Sequence, residues 1–141
     1  MTEACRKYLV FTLAGRRFAF DLAQVAEVEE QPVTWPIPMA PRCYPGAMNF
    51  HGTIVAVMDL ALFLGLSGSQ VPEKVIVIDT CIASLAFLVE QVIRIVSVNQ
   101  ADIQEGTDGP FATAQVYLPD GGATLLDAAA IAERAGETIN A

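Results

Sequence analysis

The groups that could do chemistry are few. His51 is the only histidine of the chain, and Cys5, Cys43 and Cys81 are its three cysteines. Cys43 with His51 is the one nucleophile–base pair the residue types offer, because a reactive thiolate needs an imidazole within hydrogen-bond reach. Apart from a remote carboxylate such as Glu27, nothing is placed to orient that imidazole. A zinc site needs clustered Cys and His donors, and the sequence has neither a C-x-x-C pair nor a His/Cys cluster. Glu27, Glu29 and Glu30 read as a solvated strand face, and Asp59 and Asp127 as helix N-caps. Neither G-x-x-x-x-G-K-[ST] nor G-x-G-x-x-G occurs, so nucleotide binding has no motif behind it. His51 therefore reads as a surface or interface residue. No catalytic residue, metal ligand or cofactor is expected.

Composition points the same way. Eight Lys and Arg stand against 16 Asp and Glu, a net charge of -8 in 141 residues. That sign repels phosphate backbones and anionic lipid and disfavours nucleic-acid or membrane-surface binding. Hydrophobic residues make up 53% of the chain, enough for a core in a single domain. The most apolar region, Val75 to Val98, is interrupted by Asp79, Glu90 and Arg94, and falls short of a membrane span. No apolar signal core follows Arg6-Lys7, so three reduced thiols in the cytoplasm are the expectation.

The elements that must position these groups are mostly strands. Tyr8–Leu13 is a β-branched and aromatic run, Ala14-Gly15 a tight turn, and Arg16–Leu22 an alternating strand with Phe18, Phe20 and Leu22 on one face. Asp21–Gln24 suits one helical turn. Val25–Glu30 resumes extended structure, with Val28 expected inward and the glutamates solvated. The segment from Pro32 to Pro45 carries five prolines, too many for a sheet ladder or a helix interior, and reads as an ordered loop or an edge segment with Trp35 as its anchor. Gly46–Asp59 is a strand, a turn at His51-Gly52 and a second strand. Asp59 and Gly65 bracket a short helix, and Ser67–Gln70 reads as a loop. Strands follow at Val75–Ile78, Leu85–Val89, Val92–Val98, Phe111–Leu118 and Ala123–Leu126, with a polar loop or helical turn over Ala101–Gly109. Asp127–Arg134 is an alanine-rich helix, and Gly136–Ala141 is expected to fray.

The chain repeats itself. Phe18-Ala19-Phe20-Asp21-Leu22-Ala23-Gln24-Val25-Ala26-Glu27-Val28 aligns without gaps on Leu85-Ala86-Phe87-Leu88-Val89-Glu90-Gln91-Val92-Ile93-Arg94-Ile95. Leu9-Val10-Phe11 matches Ile76-Val77-Ile78 at the same offset. With a small gap, Gly52–Asp59 matches Gly122–Asp127. The fold expected is mainly β: two pseudo-repeated curled sheets sharing one hydrophobic core, with short capping helices. Function would then sit on loops and sheet edges.

The order of these motifs resembles the CheW-like family. Leu9–Leu13, Phe18–Asp21, Val25–Val28, the proline-bearing loop and Tyr44–Leu60 are similar to that family's hairpin, its V-x-E-I strand, its G-x-x-N-x-R-G turn and its I-x-P-V-x-D-L strand. The resemblance implies two five-stranded SH3-like β-barrels, the first over about 15–70 and the second over about 75–135, with strand exchange allowed at the boundary. It further implies a non-enzymatic, cytoplasmic adaptor that couples a CheA-type histidine kinase, through its own CheW-like domain, to the tips of chemoreceptors. The receptor-facing positions it implies are Val25, Glu27, Gly46, Asn49 and His51. His51 stands where the family carries an arginine that can pair with the glutamate matching Glu27. Ala56 replaces the strand proline, and Ala61 an arginine often found after D-L. An adaptor of a non-chemotactic CheA-like pathway is the alternative, and a Cys43/His51-dependent enzyme a remote one.

Overall fold

The computed structural model describes residues 5–30, 33–66, 72–106, 109 and 111–139. Its strands are β1 (Cys5–Leu13), β2 (Arg16–Asp21), β3 (Val25–Glu30), β4 (Gly46–Phe50), β5 (Thr53–Asp59), β6 (Lys74–Ile78), β7 (Leu85–Val89), β8 (Gln91–Asn99), β9 (Ile103–Glu105), β10 (Ala112–Leu118) and β11 (Gly121–Leu126). Helix α1 (Leu60–Phe63) follows β5 and α2 (Ala128–Ile139) follows β11. Single 3-10 turns occupy Leu22–Gln24 and Gln100–Asp102. The expected fold class is present: mainly β, in two curled sheets.

Neither sheet is built from one half of the chain. One has the order β8-β1-β2-β11-β10-β9 and the other β3-β6-β7-β5-β4. Under the sequence repeat, β1, β2, β3, β4, β5 and α1 correspond to β6, β7, β8, β10, β11 and α2. The two orders then become the same order, with β9 as an extra strand. Each sheet takes the opening hairpin of one repeat and the last three strands of the other. Register obeys the same symmetry. The parallel pairs are Thr124↔Phe18 and Leu126↔Phe20 in one sheet, and Ala56↔Leu85 and Met58↔Phe87 in the other. Two chain segments that trade hairpins must fold together, which answers the problem that either half is small for a core of its own.

The core lies between the sheets. Phe11, Phe20 and Phe87 are fully buried there, with ring centroids 4.9 Å apart for Phe11–Phe20 and 5.4 Å for Phe20–Phe87. Phe20 and Phe87 are equivalent residues of the two repeats and stack on each other. Glu90 is the buried charged residue among those described, 7% exposed. It accepts hydrogen bonds from the Thr12 hydroxyl (3.0 Å) and the Gly15 N–H (3.3 Å), and so ties β8's approach to the β1–β2 turn. The carboxylate caps are where the spacing put them: Asp59 Oδ1 accepts from Leu62 N–H, and Asp127 Oδ1 from Ala129 N–H. Gly65, at φ +75°, ends α1.

Several expectations need correction. Val28 is 36% exposed although it pairs with fully buried Ile76, because β3 is an edge strand, and Glu29 is half-buried. A bulge lies before Val28: Val25 pairs with Ile78 and Glu27 with Val77, so Ala26 is an extra residue and Val25 and Val28 fall on the same face. The polar stretch after Asn99 contains strand β9, paired with β10. Helix α2 runs on past Gly136 to Ile139, where fraying was expected. Of the two readings of the proline-rich stretch, the edge segment holds at one point: Trp35 N–H donates to Ala47 O (2.8 Å) and Ala47 N–H to Trp35 O (2.7 Å) on edge strand β4. Its anchor is backbone, and the indole itself is 54% exposed. The expected loop at Ser67–Gln70 lies outside the described residues.

Candidate partner-binding site

Strands β3 and β4 are the two edges of the five-stranded sheet. β4 turns into β5 through two residues only, His51 and Gly52, with φ +49° and +86°. Positive φ at both centres is the turn whose twist matches a hairpin, and it favours glycine at the second position. Histidine is among the few side chains that visit this region. Asn49 Oδ1 accepts the Gly52 N–H at 2.8 Å and pins the turn. Held this way, His51 Nε2 lies 2.9 Å from Glu27 Oε2, and the pair joins one edge of the sheet to the other.

Both partners remain accessible, His51 at 71% and Glu27 at 43%. The Phe50 ring lies 4.5 Å from the imidazole, tilted by 59°. The hydrogen bond from Glu27, and then its charge, raise the His51 pKa above its ordinary 6.5, with Glu29 adding to the effect. Glu27 thus favours the protonated, ion-paired form of His51, whose charge an imidazole can lose and an arginine cannot.

The structure places the other expected residues as follows. Val25 heads β3 and is half-buried against the core. Gly46 opens β4 and is buried: a Cβ there would stand 2.5 Å from Trp35 O. Glu27, Asn49 and His51 converge on the β4–β5 turn; Val25 and Gly46 sit away from it and fix the strands that carry it. Cys43 is not brought to His51 as a reactive pair. It is half-buried in front of β4, its carbonyl accepts the Asp59 N–H, and burial raises its thiol pKa, opposite to the shift a nucleophile needs.

Sequence reasoning missed two features. Val28 on edge strand β3 and Ile54 on β5 (64% exposed, paired with Asn49) are exposed apolar side chains on the strands that carry the ion pair. No sequence signal marked either: Ile54 belongs to an all-apolar run whose Met58 on the same face is fully buried, and Val28 is open because β3 is an edge. The second feature is a counterpart in the other sheet. Arg94, equivalent to Glu27, lies 2.9 Å from Asp120 Oδ1 in the β10–β11 turn, and Arg17 joins at 3.2 Å. The two arginines hold the Asp120 carboxyl well down, to about 2. The repeat alignment of Glu27 on Arg94 was the available clue. The two pseudo-equivalent pairs therefore carry opposite charge on the edge strands β3 and β8.

A family model described as CheW-like domain matches residues 7–136. The chain belongs to the CheW-like family. It is 30% identical over 113 residues to the chemotaxis protein CheW of Thermotoga maritima, which covers 77% of this chain and 75% of that protein. The chemotaxis protein CheW of Bacillus subtilis is 22% identical over 105 residues, 73% of this chain and 67% of that protein. Among solved structures, the scaffolding protein TtCheW of Thermoanaerobacter tengcongensis superposes with a TM-score of 0.79 at 20% identity, covering 87% of this chain and 89% of that one. As a CheW-family chain it is a non-enzymatic scaffold of chemotaxis signalling. Among the described residues, no helix is long and apolar enough to cross a membrane, and no group of three or more His, Cys, Asp or Glu could hold a metal ion.

Proposed function

We propose that this CheW-family protein couples chemoreceptors to a CheA-type histidine kinase at the cytoplasmic face of receptor arrays, and that the receptor tip docks on the surface around Glu27, Asn49 and His51. The observation that carries the reading is the His51–Glu27 contact of 2.9 Å across the two edges of the sheet. It reproduces, with an imidazole, the carboxylate–arginine pair that the family resemblance implies. The strands that carry the pair also expose Val28 and Ile54, and a charged centre on strands with exposed aliphatic groups suits a protein partner. Val25 and Gly46 act through the strands they set.

Titration of the folded protein with a receptor-tip fragment and with the CheW-like domain of a CheA-type kinase tests the reading. Binding to both is expected, and binding to neither would overturn it. His51→Arg is expected to tighten receptor binding, because a guanidinium keeps its charge and offers a fork to carboxylates. Unchanged or weaker receptor affinity in that variant would remove the receptor from this surface.

A further inference from the structure

The two repeats differ most after β5 and β11. α1 is a single turn of four residues, stopped by Gly65, whereas α2 runs for twelve. What each helix covers can be compared through the repeat. Phe63 corresponds to Ile131, Phe18 to Leu85 and Leu126 to Met58. Asp127 N–H donates to Phe111 O as Asp59 N–H does to Cys43 O, so Ala112 corresponds to Tyr44.

On the α2 side this set is closed. Ile131 and Met58 are fully buried, Leu85 and Tyr44 nearly so, and the next turn of α2 adds Ala135 at 2% exposure. On the α1 side the phenol is replaced by the methyl of Ala112, and the helix ends before its second turn. Among the described residues a groove of 400 Å3 remains there, lined by Arg16, Phe18, Phe63, Phe111, Gln115 and Leu126 among others. Phe63 and Phe111 flank it with ring centroids 5.4 Å apart. Arg16 stands exposed at its mouth over the Phe18 ring, 5.5 Å from the centroid, and makes no ion pair among the described residues.

We propose that the groove between α1 and strands β2, β10 and β11 docks an amphipathic helix of a partner protein, which lays an aliphatic side chain over the contacting Phe63 and Phe111 rings and sets a carboxylate against Arg16. The molecule itself shows the occupant's shape, because on the equivalent side α2 continues past Ile131, the counterpart of Phe63, into a further turn that packs Ala132 and Ala135 against the core. A short helix buried along one apolar face, with anchors at i, i+3 and i+4, is an established mode of recognition. The free guanidinium at the rim, on a chain of net charge -8, selects an acidic residue over a basic one at that end of the helix. The site lies on the six-stranded sheet, away from the His51–Glu27 turn, and the proposal stands whether or not that turn binds receptors.

The test uses two stapled helical peptides, alike except that one carries Glu and the other Lys beside a Leu anchor set among alanines. The Glu peptide is expected to bind the full chain and to shift the ring resonances of Phe63 and Phe111. Ala112→Tyr, which places in the open groove the phenol that fills the closed one, is expected to weaken binding about tenfold while the variant still melts cooperatively. Should that variant fail to fold, Leu66→Glu at the rim serves the same purpose. Arg16→Glu is expected to reverse the preference between the peptides. No ring shifts at millimolar peptide, equal binding after the groove is filled, or a dimer of this chain that Ala112→Tyr or Leu66→Glu dissociates would each overturn the proposal.

Discussion

Gly46→Ala is expected to unfasten the proline-rich loop from β4. A Cβ at this position meets Trp35 O at 2.5 Å, Trp35 C at 3.0 Å and Thr34 Cβ at 3.1 Å. The first is closer than real Cβ contacts come, and its partner is backbone held by two hydrogen bonds, so neither side can give cheaply. Either the strand shifts or the Trp35–Ala47 bridge opens. Losing the two bonds costs about 0.5–1.5 kcal/mol each. Overpacking a buried strand costs about 1–3 kcal/mol. Either route costs about 1–3 kcal/mol and would lower a urea midpoint by roughly 0.5–1.5 M for a slope near 2 kcal/mol/M. Trp35 is the only tryptophan, so its emission reports the loop directly and is expected to shift to the red under native conditions. Gly52→Ala is the control. It has nothing within 4 Å but a φ of +86°, so it is expected to cost about 1–2 kcal/mol through backbone strain and to leave Trp35 emission unchanged. A Gly46→Ala variant within about 0.5 kcal/mol of the parent, with unaltered emission, would refute the reasoning.

The remaining predictions concern charge. The His51 pKa is raised in the folded state, so its contribution to stability is full below the ordinary 6.5 and lost as pH rises through the raised value. NMR titration should show that elevation, and Glu27→Gln should abolish most of it. Asp120 runs the other way: its contribution is present above the ordinary 3.8 and lost as pH falls through about 2, and Arg94→Ala should move its carboxyl titration upward. Glu90→Ala leaves the Gly15 N–H and the Thr12 hydroxyl without their acceptor in a buried place, and is expected to cost about 2–4 kcal/mol by chemical denaturation. Cys43 should react with a thiol-alkylating reagent more slowly than exposed Cys5; a rate above that of an ordinary free thiol would revive a nucleophilic role.

Local chemistry explains which features were legible. The tight turn at Ala14-Gly15, the caps Asp59 and Asp127, and the alternating Phe18–Phe20 strand each follow from a few neighbouring residues, and all appear in place. The expectation that His51 reaches Glu27 came from the family resemblance, and the contact exists although 24 residues separate the two. The exposure of Val28 was illegible, because it depends on β3 lying at the edge of its sheet, which only strand pairing decides. The short strand β9 was hidden for a similar reason: Ile103–Glu105 is polar and gains its structure from β10.

By itself, then, the sequence determined the strands, their caps, the duplication of the unit and the CheW-like family. Those are properties of local pattern and of residue order. Only the tertiary structure decided which strands share a sheet, since the trade of hairpins between repeats depends on pairing across the whole chain. It also decided that the one histidine is tied to an acidic edge strand while the equivalent edge carries Arg94. And it decided that one of two equivalent grooves is filled, because only packing shows where Tyr44 and the later turns of α2 lie and where their counterparts on the α1 side leave space.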